Sequence, residues 1–215
     1  MNSPSELTFF HAPHSRSSSV RVLLEELGAP YRIHAINLKD EAEYDPSYRA
    51  INPLAKVPAL KDGDAVITER VAIHIYLPDR FPAGGLAPTV DDPQRGPYLR
   101  WLALYGSCFE PAVIDRQQQH APAPYSTSPY GDFDTLFKTL TDHLEHQGPW
   151  MLGERFSSAD ILWASSLNFT THFELIPEHP AIRAYIDRYL ARPAVQRTYA
   201  ADIELAETQD AGVTT

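Results

Sequence analysis

Apolar residues recur along this chain with two different periods, and the change from one to the other divides it. Leu7, Phe9 and Phe10 mark a short strand from Glu6 to His11. Ala12 to Ser19 is rich in Pro, His and Ser and is expected to be a loop, with Ser17, Ser18 or Ser19 able to cap a helix after it. Val20, Leu23, Leu24 and Leu27 stand at i, i+3, i+4 and i+7, one stripe of an amphipathic helix. Gly28 ends that helix and Pro30 prevents its continuation. A second strand is predicted over Tyr31 to Asn37, anchored by Tyr31, Ile33 and Ile36, and the polar stretch Glu41 to Ala50 is weakly helical. Val57 to Leu60 and Ala65 to Ile67 are two short strands around the turn Lys61-Asp62-Gly63-Asp64, and Val71 to Arg80 is a second helix.

The order β-α-β, link, β-β-α predicts a mixed four-stranded sheet with helices on its faces, the thioredoxin-like arrangement, over residues 1–82. Prolines and glycines between Phe81 and Pro93 mark a linker at 83–93. After it the strand period disappears. Tyr98, Leu99, Trp101, Leu102, Tyr105 and Phe109 predict a long aromatic helix running toward Gln117. A proline-rich loop follows from Ala121 to Tyr130. A helix through Phe133, Leu136, Phe137, Leu140 and Leu144 then stops at Gly148-Pro149. Ser157-Ser158-Ala159-Asp160 is a capping box opening a helix from Ser158 to about Thr171. Helices over Glu178 to Ala191 and Ala194 to Glu204 complete an all-α domain spanning 94–205. Residues 206–215 lack apolar content and are expected to fray.

Composition narrows the chemistry. A net charge of −10 over 215 residues argues against a nucleic-acid or anionic membrane surface. No apolar run has membrane-spanning length, and no leader precedes the first strand, so the expected location is cytoplasmic. The single cysteine, Cys108, allows no internal redox pair, so thiol chemistry in the first half would need a borrowed thiol. His143 and His146 stand three apart on a helix without a third ligand and are taken as surface residues; no metal is expected.

One stretch brings recognition groups together. Pro58 has no N–H for a ladder, whereas Val57 can offer its own N–H and C=O to an extended peptide. Ten residues on, Glu69 and Arg70 open a helix whose positive end attracts carboxylates. Such a pair suits a small peptide held by its backbone and its free acid.

These residues resemble the glutathione site of the glutathione S-transferase family. The run Asn52-Pro53-Leu54-Ala55-Lys56-Val57-Pro58-Ala59-Leu60 is similar to the family's stretch ending in a cis-proline, with Ala55 at the usual glycine. Glu69-Arg70 stands where the family has Glu-Ser. Val20 to Tyr31 and Gly153 to Asp160 resemble the family's first helix and its capping box. The resemblance implies a thioredoxin-like N-terminal domain plus an all-α C-terminal domain, glutathione as co-substrate, and a homodimer in which the first domain of one subunit meets the helical domain of the other. Glu69 would accept from the γ-glutamyl ammonium and Arg70 would hold its carboxylate. Lys56, with Lys39 second, would meet the glycyl end.

A thiol titrating near pH 8.5 needs about 2.7 kcal/mol of preference for the anion to drop roughly two units. A hydroxyl hydrogen bond to the sulfur supplies about 1.5–3 kcal/mol and a helix N-terminus about 0.3–1 kcal/mol. The donor therefore belongs between the first strand and the first helix. Ser15 is the first choice and Ser17 the second; Ser18 and His14 are the other candidates. The electrophile pocket is expected from Tyr98, Trp101, Tyr105 and Phe109, with His11 from the strand end. Two other readings use the same fold. One is a glutathione-dependent isomerase of the maleylacetoacetate or maleylpyruvate type, drawing cations from Arg16, Arg100 and Arg116. The other is a binding protein that no longer uses glutathione.

Overall fold

The computed structural model describes residues 7–38, 46–121 and 123–212, which fall into two compact units. The first comprises the chain up to Gly84 together with the segment from Arg192, and the second runs from Gly85 to Ala191.

The first unit is built on four strands, β1 (Leu7–His11), β2 (Tyr31–Ala35), β3 (Ala59–Asp62) and β4 (Ala65–Thr68), in the spatial order β2-β1-β3-β4. β1 and β2 are parallel, joined by helix α1 (Ser18–Leu27), while β3 is antiparallel to both β1 and β4. Gly28 closes α1 with φ +59, the left-handed conformation that glycine adopts without a Cβ penalty. Alternation along β1 puts Leu7, Phe9 and His11 on one face. Phe10 turns to the other, in a cluster with Ala12, Ile36, Tyr48 and Ala59. Tyr48 lies in the short helix α2 (Pro46–Arg49), and α3 (Arg70–Arg80) follows β4. Val20, Leu23 and Leu24 of α1 and Ile73 and Leu77 of α3 are all fully buried, as the stripe spacing requires.

The second unit is helical. Helix α4 (Arg95–Leu104) passes through a π-helical stretch (Tyr105–Phe109) into α5 (Glu110–Gln117), so the long aromatic segment is one continuous rod. Helices α6 (Phe133–His146), α7 (Ser158–His172) and α8 (Pro180–Leu190) complete it. α7 is buried along most of its length, and Ile161, Leu162, Trp163, Ala164 and Leu167 have no exposed surface, which makes it the buried centre of this unit. Its start is held by Asp160, whose Oδ2 accepts the Ser157 N–H at 2.8 Å and the Ser157 hydroxyl at 2.9 Å. Oδ1 takes the Met151 N–H at 2.7 Å and the Tyr185 hydroxyl at 2.9 Å.

The final helix, α9 (Pro193–Gly212), belongs to the first unit rather than the helical one, and it continues past residue 206 where fraying was expected. Its partner is α1: Arg192 makes a two-pronged contact with Glu26 at 2.6 and 2.8 Å. Further along, the Gln209 amide donates to the Ile36 carbonyl at 3.3 Å. The Gln209 contact ties this low-apolar end of α9 to the strand side of the unit.

Candidate glutathione site

Strand register brings the recognition residues to one end of the sheet. Ala59 stands opposite Thr68 across β3 and β4, so Pro58 and Glu69 are the next pair outward. Phe10 stands opposite Ala59 across β1 and β3, so His11 leaves the sheet beside Pro58. Directly paired residues have Cβ atoms about 4.5–5.5 Å apart. The loop from Ala12 to Ser17, the Val57–Pro58 bond and the N-terminus of α3 therefore emerge side by side.

Each of the three is set by local contacts. The Val57–Pro58 peptide bond is cis. Before it, the Lys56 carbonyl accepts from the Asn52 side-chain amide and from the Tyr48 hydroxyl, both at 2.7 Å. Burial pushes the Tyr48 phenol up to about 12, so it stays a donor. Among the described residues, no backbone group takes the Val57 N–H or C=O. Ala55 has φ +54, the left-handed conformation that glycine adopts without strain. Glu69 is exposed with φ +65 and ψ +117, an unusual conformation for a side-chain-bearing residue that costs about 1–3 kcal/mol and that clusters at ligand clamps. Arg70 opens α3 and is buried; Lys56 is exposed; Lys39 lies outside the described residues.

The loop after β1 separates its serines. Ser17 is fully buried and sits at the N-cap of α1, yet its hydroxyl makes no capping bond. It is turned inward: Oγ accepts from the Ala12 N–H at 3.1 Å and lies 2.8 Å from His11 Nδ1 and 2.6 Å from Ser15 Oγ. The cap expected from Ser17, Ser18 or Ser19 is thus not made by Ser17, whose hydroxyl ties back to the preceding strand instead. Ser15 is half-buried at the loop edge, its hydroxyl 2.8 Å from the Ala12 carbonyl and its oxygen accepting the Ser17 N–H at 3.1 Å. Ser18 is committed to Asp202, to which it donates at 2.5 Å. His14 is exposed with φ +54.

His11 does not face an electrophile. It has no exposed surface; Nε2 lies 3.0 Å from Asp202 Oδ1, and its ring stacks on Phe9. Asp202 reaches the strand from α9 and also accepts from Arg21 at 2.7 Å. Burial works to raise this carboxyl, but the hydrogen bonds from His11, Ser18 and Arg21 outweigh it and hold it below the ordinary carboxylate range. Asp202 was not anticipated. A signal existed, because Val195, Thr198 and Asp202 share one helical face at i, i+3 and i+7, and all three are buried.

The aromatic residues of the long helix are core as well. Tyr98 is fully buried with its hydroxyl 2.7 Å from Ser158 Oγ. Trp101, Tyr105 and Phe109 pack around the Trp163 ring, with centroids at 5.8, 5.4 and 4.9 Å, and the Trp101 carbonyl accepts the Trp163 indole N–H at 3.0 Å. Apolar helix periodicity marks the buried face without saying whether core or ligand buries it, so the pocket assigned to these residues becomes the centre of the helical unit. His143, expected on the surface, is half-buried with its ring 4.4 Å from that of Trp101. Burial and nearby Arg100 hold its pKa down, against the hydrogen bond to the Met151 carbonyl.

A thioredoxin-like unit with a peptide edge, a helix N-terminus and a serine loop at one sheet end, on a chain that also carries an all-helical unit, defines a glutathione-transferase architecture. The family models described as glutathione S-transferase, N-terminal domain, and glutathione S-transferase, C-terminal domain, match residues 5–79 and 116–193. A glutathione S-transferase of Triticum aestivum is 40% identical over 190 residues, covering 85% of this chain and 87% of that protein. The crystal structure of a glutathione transferase from Methylococcus capsulatus superposes with TM-score 0.77 at 28% identity, covering 91% of this chain and 98% of that one. That of a sphingomonad glutathione S-transferase complexed with glutathione gives 0.73 at 27% identity over the same shares. The chain belongs to the glutathione S-transferase family.

Proposed function

We propose that the protein is a glutathione transferase that binds the tripeptide at the shared sheet end and activates its thiol with the Ser15 hydroxyl. The observation that carries this reading is the convergence, in register, of Val57–Pro58, Glu69 and the serine loop. The cysteinyl backbone pairs with Val57. Glu69 accepts from the γ-glutamyl ammonium, and the adjoining carboxylate meets the positive end of α3 at Arg70. Lys56 attracts the glycyl carboxylate. Ser15, at the loop edge before α1, donates to the sulfur and favours the thiolate, which then attacks a hydrophobic electrophile. A cytoplasmic homodimer belongs to the same reading.

A second reading keeps the site and changes the reaction to isomerisation of a maleyl acid. It is favoured by Arg16, exposed one residue from Ser15. Arg100 and Arg116 lie over the Trp101 and Phe133 rings at 4.5 and 4.7 Å. Comparing turnover of an aryl halide with that of a maleyl acid separates the two. The test of the site itself is a calorimetric titration with reduced glutathione, beside Glu69→Ala. Binding in the micromolar to low-millimolar range that the substitution weakens supports the assignment. Absence of heat, with an unchanged melting temperature, overturns it in favour of a binding protein without glutathione.

A further inference from the structure

A continuous set of hydrogen-bonding groups runs from Ser15 into the first unit. Ser15 Oγ and Ser17 Oγ are 2.6 Å apart, Ser17 Oγ and His11 Nδ1 2.8 Å, and His11 Nε2 and Asp202 Oδ1 3.0 Å. Everything beyond Ser15 is buried. Asp202 fixes the hydrogen positions. Its carboxylate already accepts from Arg21 and Ser18, so it can only accept from His11 as well, and the imidazole hydrogen sits on Nε2. In the neutral ring Nδ1 is then a bare acceptor aimed at Ser17, whose single hydrogen points to it. Ser17 Oγ in turn accepts from Ser15, with the Ala12 carbonyl the alternative acceptor for either hydroxyl at 2.8 and 3.0 Å.

We propose that Ser15, Ser17 and His11 form a proton relay that carries the glutathione proton inward to His11, with Asp202 holding the imidazolium that results. The proposal rests on the reading that Ser15 meets the thiol. The thiol S–H bond breaks and its proton joins Ser15 Oγ. The Ser15 proton passes to Ser17 Oγ, and the Ser17 proton passes to His11 Nδ1. Both serines end as neutral hydroxyls, Ser15 now donating to the thiolate; sulfur has gained one negative charge and His11 one positive charge. Among the described residues, the charged and titratable groups around His11 are Asp202 from α9 and Arg21 from α1 on the same carboxylate, with Tyr31 of β2 beside Arg21 and Glu25 accepting from the Tyr31 hydroxyl. The new cation therefore forms against a carboxylate. His11 acts through two hydroxyls and is a positioning residue, distinct from the serine that touches sulfur.

The relay makes a count that simple packing does not. The full-length protein is titrated with reduced glutathione near neutral pH, in two buffers of different ionisation enthalpy, while thiolate is followed by its ultraviolet absorbance. Thiolate should form with close to no proton released, because the proton stays on His11, and the His11 ring nitrogens should change their NMR shifts to those of an imidazolium. His11→Gln should lower the bound thiolate fraction about tenfold, a pKa rise of about one unit, and Asp202→Asn should act in the same direction. One proton released per thiolate in the wild-type protein, or an unchanged thiol pKa in a folded His11→Gln, overturns the relay while leaving glutathione binding intact. Failure of the wild-type protein to bind glutathione overturns the site and the relay together.

Discussion

Substituting Ser15 and Ser17 separately by alanine tests the division of labour in the loop, because the two hydroxyls differ in burial and partners. Ser17→Ala removes an oxygen with no exposure, leaving the Ala12 N–H and His11 Nδ1 without it in a place water does not reach. A buried group left unsatisfied costs about 1–3 kcal/mol, so two cost about 2–6 kcal/mol. For a domain pair of this size that is a fall in Tm of roughly 4–24 °C. Ser15→Ala removes a half-buried hydroxyl at the loop edge, where water can replace it, and the stability cost is under about 1 kcal/mol. Its effect falls on the thiol instead. Losing a hydrogen bond to an anion worth about 1.5–3 kcal/mol raises the bound thiol pKa by about 1–2 units, cutting thiolate at neutral pH roughly ten- to a hundredfold. Differential scanning calorimetry and a thiolate absorbance titration on each variant read both quantities. A stable Ser17→Ala beside a strongly destabilised Ser15→Ala would refute the burial argument. A Ser15→Ala protein with the wild-type thiol pKa would refute the donor assignment.

Two buried carboxylates should impose opposite pH dependences. Asp202 titrates below its unfolded value of 3.8, so its contribution is complete above that pH and is lost as pH falls through the lower folded value. The stability gap between wild type and Asp202→Asn should narrow below about pH 4, checked by urea melts across pH. Asp160 is pushed up by burial to about 6 despite its four donors, so its contribution is complete below 3.8 and lost as pH rises through about 6. Asp160→Ala should therefore cost more at pH 5 than at pH 7, and a gap that narrows instead would contradict the assignment. At Ala55, glycine relieves about 1–2 kcal/mol of left-handed strain. It also forfeits about 0.8 kcal/mol of buried methyl and about 0.5–1 kcal/mol of backbone entropy. Ala55→Gly should thus change the urea midpoint little, and a loss of about 1.3–1.8 kcal/mol, the whole forfeit with nothing relieved, would show that φ +54 is not strained.

Local periodicity carried the architecture. The stripe Val20, Leu23, Leu24, Leu27, the Gly28 stop, the hairpin after β3 and the Asp160 capping interaction are contacts between residues near in sequence, and all are present. What periodicity cannot supply is the identity of the partner on a buried face. Trp101, Tyr105 and Phe109 satisfied the pattern of a pocket wall and the pattern of a core equally, and Trp163 decides between them. His11 shows the same limit with a sharper consequence. Strand alternation puts it on the face of Leu7 and Phe9, and a buried imidazole needs partners for both nitrogens. One partner, Ser17, is six residues away; the other, Asp202, is 191 residues away on the last helix. A carboxylate on the buried stripe of α9 is costly unless it is met by donors, and here the donors are His11 of the strand and Ser18 and Arg21 of the helix that flank the serine loop. The packing of α9 therefore sets a carboxylate against the His11 ring at the base of the serine loop, and under the proposed relay that packing becomes a determinant of the chemistry at Ser15.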